Sequence, residues 1–333
     1  MRNFIELLKF KVLKSPFIPL FQRGKPNSPF IKGGKGGFKN ATTAHYRTFA
    51  LISPAVFWLF FFFLLPLGIL LVYSFCQPNT ATPRGVAWEF TFDNYLKVVN
   101  PTWSSEPNFV DLKPVILRSL WLAFVNTFIC LIIGYPMAYY ISRQSSRIKT
   151  ILLLLVILPF WTNFLVRTYA WIIILREGGL INTILMNLGI IQTPLELMFT
   201  RGAVIVGLVY GYLPFMILPL YASIEKINPS YFEAANDLGA NSFQAFLRIM
   251  LPLTAPGIIA GSILVFIPTI GAYVTPDLLG GAKVMMIGNS IKSQYLTMRN
   301  WPFGSALSFI VLGIVLVVLF FYVKYGNLEE NDN

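Results

Sequence analysis

Six apolar runs, separated by short polar segments, set the layout of this chain: Phe49–Ser74, Ser119–Ile141, Thr150–Leu175, Ala203–Ile224, Pro256–Pro276 and Phe303–Val323. A helix needs about 20 residues to cross the hydrocarbon of a bilayer. Each run meets that length, so the pattern predicts an all-α membrane protein with six transmembrane helices and both termini on one side. Pro66, Pro136, Pro159, Pro214, Pro219 and Pro268 lie inside the runs. Membrane helices tolerate proline when neighbours re-satisfy the freed carbonyls, and kinks around a pathway and ordinary membrane-helix proline both fit.

Composition agrees with the pattern. Of 333 residues 56% are hydrophobic and only 12% charged, where soluble domains carry about 25% charged residues. Lysine and arginine near the span ends set orientation. Residues 1–47 hold ten Lys or Arg against the single acid Glu6, which places the amino terminus in the cytoplasm. Arg143, Arg147 and Lys149, between the second and third runs, then face the same side. The segments Gln77 to Arg118, Arg176 to Gly202 and Asp277 to Pro302 fall outside.

The net charge of +12 does not require nucleic acid, because most of the excess sits in residues 1–47 beside a span. Anionic membrane lipid is the partner this arrangement suits. Met1 to Lys14 alternates apolar and basic residues, as an interfacial helix would. From Ser15 the tail is low-complexity: SPFI recurs at Ser15 and Ser28, and IKGGKGGFKN follows. Such sequence builds no core. The basic start is not followed by the apolar region and small-residue cleavage site of a secretory signal. The expected organisation is a disordered basic tail over 1–47, a transport domain over 48–325 and a short cytoplasmic tail over 326–333. The appendage is an extension ahead of a functional chain starting near Thr42, or else a regulatory tail.

Between the fourth and fifth runs lies a polar segment, residues 229–253. Asn228 and Pro229 read as an N-cap and first helical residue, and Gly239 supplies the positive φ that ends such a helix. Ser242 caps a second short helix, which Pro252 closes. This helix-turn-helix is too polar for lipid and too short to fold alone, so it docks on another protein. Glu233-Ala234-Ala235, three residues, Gly239, nine residues, Ile249, one residue and Leu251-Pro252 resemble the cytoplasmic EAA loop of ABC-importer permeases at every spaced position. The resemblance implies a type I ABC importer permease whose loop couples it to separate ATPase subunits. Glu233 would make the polar contact and Gly239 the turn.

Searches for catalytic chemistry exclude an ATPase within this chain. No G-x-x-x-x-G-K-[ST] motif is present; the glycines near Lys35 lack its spacing. ATP and Mg would therefore serve a partner ATPase, and no cofactor is expected here. His45 is the single histidine, and no cluster has metal-ligand spacing. Cys76 and Cys130 are read as separate small apolar residues.

The runs LPFWTNFLVRTY (158–169), MFTRGAVIVGLVYGYLPFMILPLYASIEKIN (198–228), DLLGGAKVMMIGNSIKSQYL (277–296) and WPFG (301–304) narrow the resemblance to spermidine/putrescine import permeases of the bacterial inner membrane. Permeases for ferric ion, sulfate or other solutes share parts of these runs. The resemblance implies two ATPase subunits, a second homologous permease, an extracytoplasmic substrate-binding protein, and alternating access driven by ATP. A secondary carrier would need intramembrane ionisable residues or internal repeats, and neither is evident.

No Asp or Glu lies inside a run. A polyamine path would therefore rely on aromatic faces, which attract ammonium groups by roughly 0.5–2 kcal/mol each. Trp161, Tyr169, Tyr210, Tyr212 and Tyr273 are the candidates, with helix packing and interfacial belts as the competing role. Asp277, past the fifth run, would attract an incoming ammonium or pair with Lys283 or Arg167. Arg167, the single charge within the runs, is expected to be paired or to snorkel outward. Thr162 and Asn163 offer neutral hydrogen-bonding groups to the lumen or to a neighbouring helix.

Overall fold

A computed structural model describes residues 52–79, 86–99 and 112–326. The tail over 1–47 and the carboxy-terminal residues 327–333 lie outside them. The chain divides into two units, Met1–Phe60 and Phe61–Asn333. Described residues of the first are the helical stretch 52–60; the second unit holds the rest.

Helix α1 (Ile52–Ser74) is the first apolar run and leads to a hairpin of β1 (Cys76–Pro78) and β2 (Val86–Phe90), paired antiparallel. This hairpin is a small addition to the expected all-α plan. It is followed by α2 (Asp93–Val99), α3 (Lys113–Ser142), α4 (Ser146–Trp161), α5 (Phe164–Leu175) and α6 (Leu180–Asn187). Next come α7 (Arg201–Glu225), α8 (Ser230–Asp237), α9 (Ser242–Leu253), α10 (Ala255–Ile270), α11 (Ile287–Leu296) and α12 (Trp301–Gly326).

Among the described residues five stretches are long and apolar enough to cross a membrane: Ile52–Ser74, Lys113–Ser142, Phe164–Asn187, Arg201–Glu225 and Trp301–Phe320. A bent pair, α9 with α10, makes up to six. The third expected span, Thr150–Leu175, is not one helix. Pro159 brings no N–H to the end of α4, and the chain turns extended at Thr162 (ψ 151°) and Asn163 (ψ 130°). Asn163 then caps α5, its Oδ1 accepting from the Leu165 N–H at 2.8 Å. The expected fifth span is likewise shorter, since α10 ends at Ile270 and Pro276–Gly280 forms a wide turn.

Helices α3, α7 and α10 pack against one another at the centre. Cys130, Ala138, Met216, Leu220 and Val265 are fully buried between them. Gly261 permits a close approach, because a Cβ there would lie 2.8 Å from Met216 Sδ and 3.2 Å from the Met216 carbonyl oxygen. Polar staples cross the same core: Asn126 Nδ2 donates to Thr269 Oγ1 at 2.9 Å, and the Tyr135 and Thr254 hydroxyls meet at 2.9 Å. Each satisfies groups that hydrocarbon could not. Both cysteines are buried and free.

Candidate coupling loop and transport pathway

The polar segment folds as two short helices held by local hydrogen bonds. Asn228 opens α8: its Oδ1 accepts the Ser230 N–H at 3.1 Å and its carbonyl the Tyr231 N–H at 3.2 Å. Gly239, at φ +80°, ends it. The Gly239 N–H donates to the Asn236 carbonyl and the Ala240 N–H to the Ala235 carbonyl, both at 2.9 Å. This pair of bonds is a Schellman motif, and it ties the E-A-A helix to the glycine that follows it.

Two details of the second helix differ from expectation. Asn241, not Ser242, is its cap, in a reciprocal box: Gln244 N–H to Asn241 Oδ1 at 2.8 Å and Asn241 N–H to Gln244 Oε1 at 3.0 Å. Both residues qualify by type, but only the asparagine has glutamine three positions on. Nor does Pro252 close the helix. The missing N–H is absorbed by a wide turn over Phe246–Met250, where the Leu251 N–H reaches back to the Phe246 carbonyl. The helix continues to Leu253 and then bends by 65° into α10.

Ala235 is buried and Ile249 half-buried, while Glu233, Ala234, Gly239, Leu251 and Pro252 are exposed. The tip between the helices is apolar and open, with Leu238 88% exposed and Phe243 68%. On the bundle side the loop is anchored. The Arg143 guanidinium lies 5.1 Å from the Tyr139 ring centre and 5.3 Å from that of Phe232 in α8. The Tyr135 and Phe246 rings meet edge to face at 5.5 Å. Lys149 pairs with Glu225 at 2.7 Å. The basic turn between α3 and α4 and the E-A-A loop therefore share one end of the bundle, as the charge pattern predicts. A cavity of about 470 Å³, lined by Tyr139, Arg143, Phe232, Asn236 and Phe246 among others, lies between them.

The expected pathway residues are spread over α4, α5, α7 and the segment after α10. Trp161, at the end of α4, is 75% exposed, and Tyr169 is exposed on α5. Asn163 caps α5 through its Oδ1. The Tyr212 hydroxyl donates to the Pro268 carbonyl at 3.4 Å, between α7 and α10. Tyr210 packs edge to face on Trp171 at 5.6 Å and forms one wall around Arg167.

Arg167 has no carboxylate partner among the described residues. Its guanidinium lies 5.8 Å from the ring centres of Phe160 and Phe164 and 6.0 Å from that of Tyr210, with Nε buried and unbonded. Asp277 pairs with neither Lys283 nor Arg167. Its carboxylate takes Lys292 of α11 at 2.5 Å and also accepts from Asn289. Hydrogen bonding and charge from Asp277 hold the Lys292 ammonium above its ordinary 10.5. Tyr273 completes the group, with Lys292 Nζ 5.6 Å from its ring centre. Asn289 and Lys292 are functional candidates that sequence reasoning missed. Their signal is faint, because the pair closes across 15 residues of irregular chain.

Comparison with known proteins completes the picture. The family profile described as binding-protein-dependent transport system inner membrane component matches residues 130–328. The spermidine/putrescine transport system permease protein PotB of Haemophilus influenzae is 45% identical over 271 residues, covering 81% of this chain and 91% of that protein. PotB of Escherichia coli K12 is also 45% identical over 271 residues, covering 80% and 94%. Among solved structures, a bacterial alginate ABC transporter in complex with an alginate pentasaccharide-bound periplasmic protein superposes with a TM-score of 0.64. At 18% identity, with 84% of this chain and 93% of that one covered, the likeness is one of fold.

Proposed function

Because this chain belongs to the family of binding-protein-dependent transport system inner membrane components, we propose that it is the channel-forming permease of an ATP-driven polyamine importer. Spermidine and putrescine are its cargo. The observation that carries the substrate is the 45% identity to the PotB permeases over nearly their whole length.

Coupling runs through the loop 229–253 of a transport domain over 48–325. Glu233, exposed and without an ion-pair partner among the described residues, and the bare apolar tip at Leu238 and Phe243 suit a docking surface on an ATPase. Two ATPase subunits use ATP and Mg and close on this loop and on its counterpart in a second, homologous permease. The closure rocks the helices between outward-open and inward-open arrangements. A separate extracytoplasmic binding protein delivers the cargo. The loop end of the bundle faces the cytoplasm of a bacterial cell, both termini lie there, and the basic tail over 1–47 meets lipid. Along the path, Trp161, Tyr169, Tyr210, Tyr212 and Tyr273 supply aromatic faces for ammonium groups, and Asp277 draws cations to the outer end. Asn163 acts by positioning α5.

The test is uptake of labelled spermidine and putrescine by cells with and without this chain, beside a Gly239→Val control retained in the membrane. Uptake that needs the chain and fails in the control supports ATPase-coupled polyamine import. Unchanged uptake in cells lacking other polyamine importers refutes the substrate.

A further inference from the structure

At the end of the bundle away from the coupling loop, one carboxylate is held in a fixed orientation. The Asp277 N–H donates to the Tyr273 carbonyl at 2.9 Å. Asn289 Nδ2 donates both to that carbonyl, at 2.9 Å, and to Asp277 Oδ1. Asn289 is itself only 7% exposed, and its Oδ1 accepts the Met286 N–H at 3.0 Å. The Asp277 oxygen left over points at Lys292 Nζ, with the half-exposed Tyr273 ring alongside. This last contact is part-exposed: the Asp277 and Lys292 side chains are 35% and 42% exposed.

Carboxylate and ring thus form a seat, and its occupant is informative. A lysine side chain is a primary ammonium on four methylenes. That aminobutyl group is putrescine less one of its two amines, and one arm of spermidine. The chain's own lysine shows that the seat accepts this group.

We propose that Lys292 is a tethered competitor for the cargo: its ammonium fills the Asp277–Tyr273 seat when the transporter is empty, and the aminobutyl ammonium of an arriving polyamine displaces it. This deepens the polyamine reading above and rests on it. The fixed half of the seat (Asp277, Asn289, Tyr273) sets what binds, and the free half, a lysine on an exposed stem, sets how tightly. An exposed ion pair of ordinary strength leaves the seat vacant only part of the time, which weakens apparent affinity about two- to sixfold. In return the carboxylate is paired for most of the time, so stray inorganic cations gain less from it.

Two measurements decide the matter in the full transporter with its partner subunits. In the first, Lys292→Met keeps the apolar stem and removes the charge. KM for putrescine is expected to fall about two- to sixfold. Asp277→Asn is expected to raise KM, and adding Lys292→Met to Asp277→Asn to change nothing further. The second readout is the rate at which Lys292 is acylated, followed by mass spectrometry. The probe is N,N,N′,N′-tetramethyl-1,4-diaminobutane, which keeps two N–H donors and cannot itself be acylated. Displacement from Asp277 frees the lysine amine, so acylation is expected to quicken with the probe and not with sodium chloride of equal ionic strength. A KM unchanged or raised by Lys292→Met, or an acylation rate indifferent to the probe, overturns the proposal. If the wild-type chain carries no polyamine at all, the transport reading falls, and the acylation result still judges the seat.

Discussion

Replacing Gly239 isolates the contribution of a single backbone torsion to coupling. At φ +80° the residue lies in the left-handed region, and a Cβ built there meets nothing within 4 Å. Substitution therefore adds no clash, and the cost is conformational: about 1–2 kcal/mol for an ordinary L-residue. The surrounding structure offers little to hold the strained turn, since Ala235 is the one buried residue of α8. Set against an alternative turn of equal energy, 1–2 kcal/mol lowers the ratio of native to alternative loop by about 5- to 30-fold and so depletes the native loop by about 3- to 15-fold. Uptake per membrane-inserted molecule should fall within that range for Gly239→Ala. It should fall further for Gly239→Val, whose branched Cβ tolerates the region least. Gly239→Asn should stay within about twofold of wild type, because asparagine enters this region readily. The assay is initial uptake rate normalised to protein in the membrane, with ATPase rate measured on the same preparations. An alanine variant as active as wild type, or an asparagine variant as poor as valine, would falsify the torsional argument.

Asn163→Ala should lower thermal stability by about 1 kcal/mol through loss of the α5 cap, and Asn163→Asp should restore most of it; a melting series in detergent reads both. Asn126→Ala removes the staple to Thr269, and interhelical bonds of this type in membranes average about 0.6 kcal/mol, so a modest drop in melting temperature with intact insertion is expected. Gly261→Val drives a side chain into Met216, including its backbone, and should cost about 1–3 kcal/mol or more, seen as loss of folded protein by size-exclusion chromatography. The Lys292 ammonium is held above 10.5, so the stabilisation it gains is fully present below that value and lost only as pH rises through its folded pKa. The effect of Lys292→Met on KM should accordingly be flat through the neutral range, which uptake measured across pH checks.

Hydropathy placed the apolar stretches well, because burial in lipid acts on every residue of a span at once. It could not place breaks within them. The third run reads as continuous, yet Thr162 and Asn163 divide it, since two polar residues hardly move a windowed average while one asparagine accepting the Leu165 N–H starts a new helix. The same dipeptide, which offers hydrogen-bonding groups to a lumen or to a neighbouring helix, also carries an N-cap signal. The helix-turn-helix of the loop was legible almost in full because its determinants are local: Asn228, Gly239 and the residues they bond lie within five positions of one another. The Asn241 cap was open to the same logic through Gln244. Partners across space were not legible. Arg167 draws its rings from three helices, α4, α5 and α7, and Asp277 finds Lys292 across an irregular stretch whose path depends on tertiary packing.

The bend at Thr254 gives this molecule an elbow. Its hydroxyl is fully buried, bonded back to the Met250 carbonyl at 2.8 Å and across to Tyr135 at 2.9 Å, so the corner is pinned to α3 while two stiff arms extend from it. By the rise of an α-helix the arm toward the coupling loop is about 18 Å long and the arm along α10 about 24 Å. Each degree of tilt about the pin moves the loop end by roughly 0.3 Å and the far end of α10 by roughly 0.4 Å. Tyr273 and Asp277 follow that far end by only a few residues. On the docking role and the ammonium seat proposed above, a push on the loop helices would reach Tyr273 and Asp277 as a mechanical stroke, slightly lengthened.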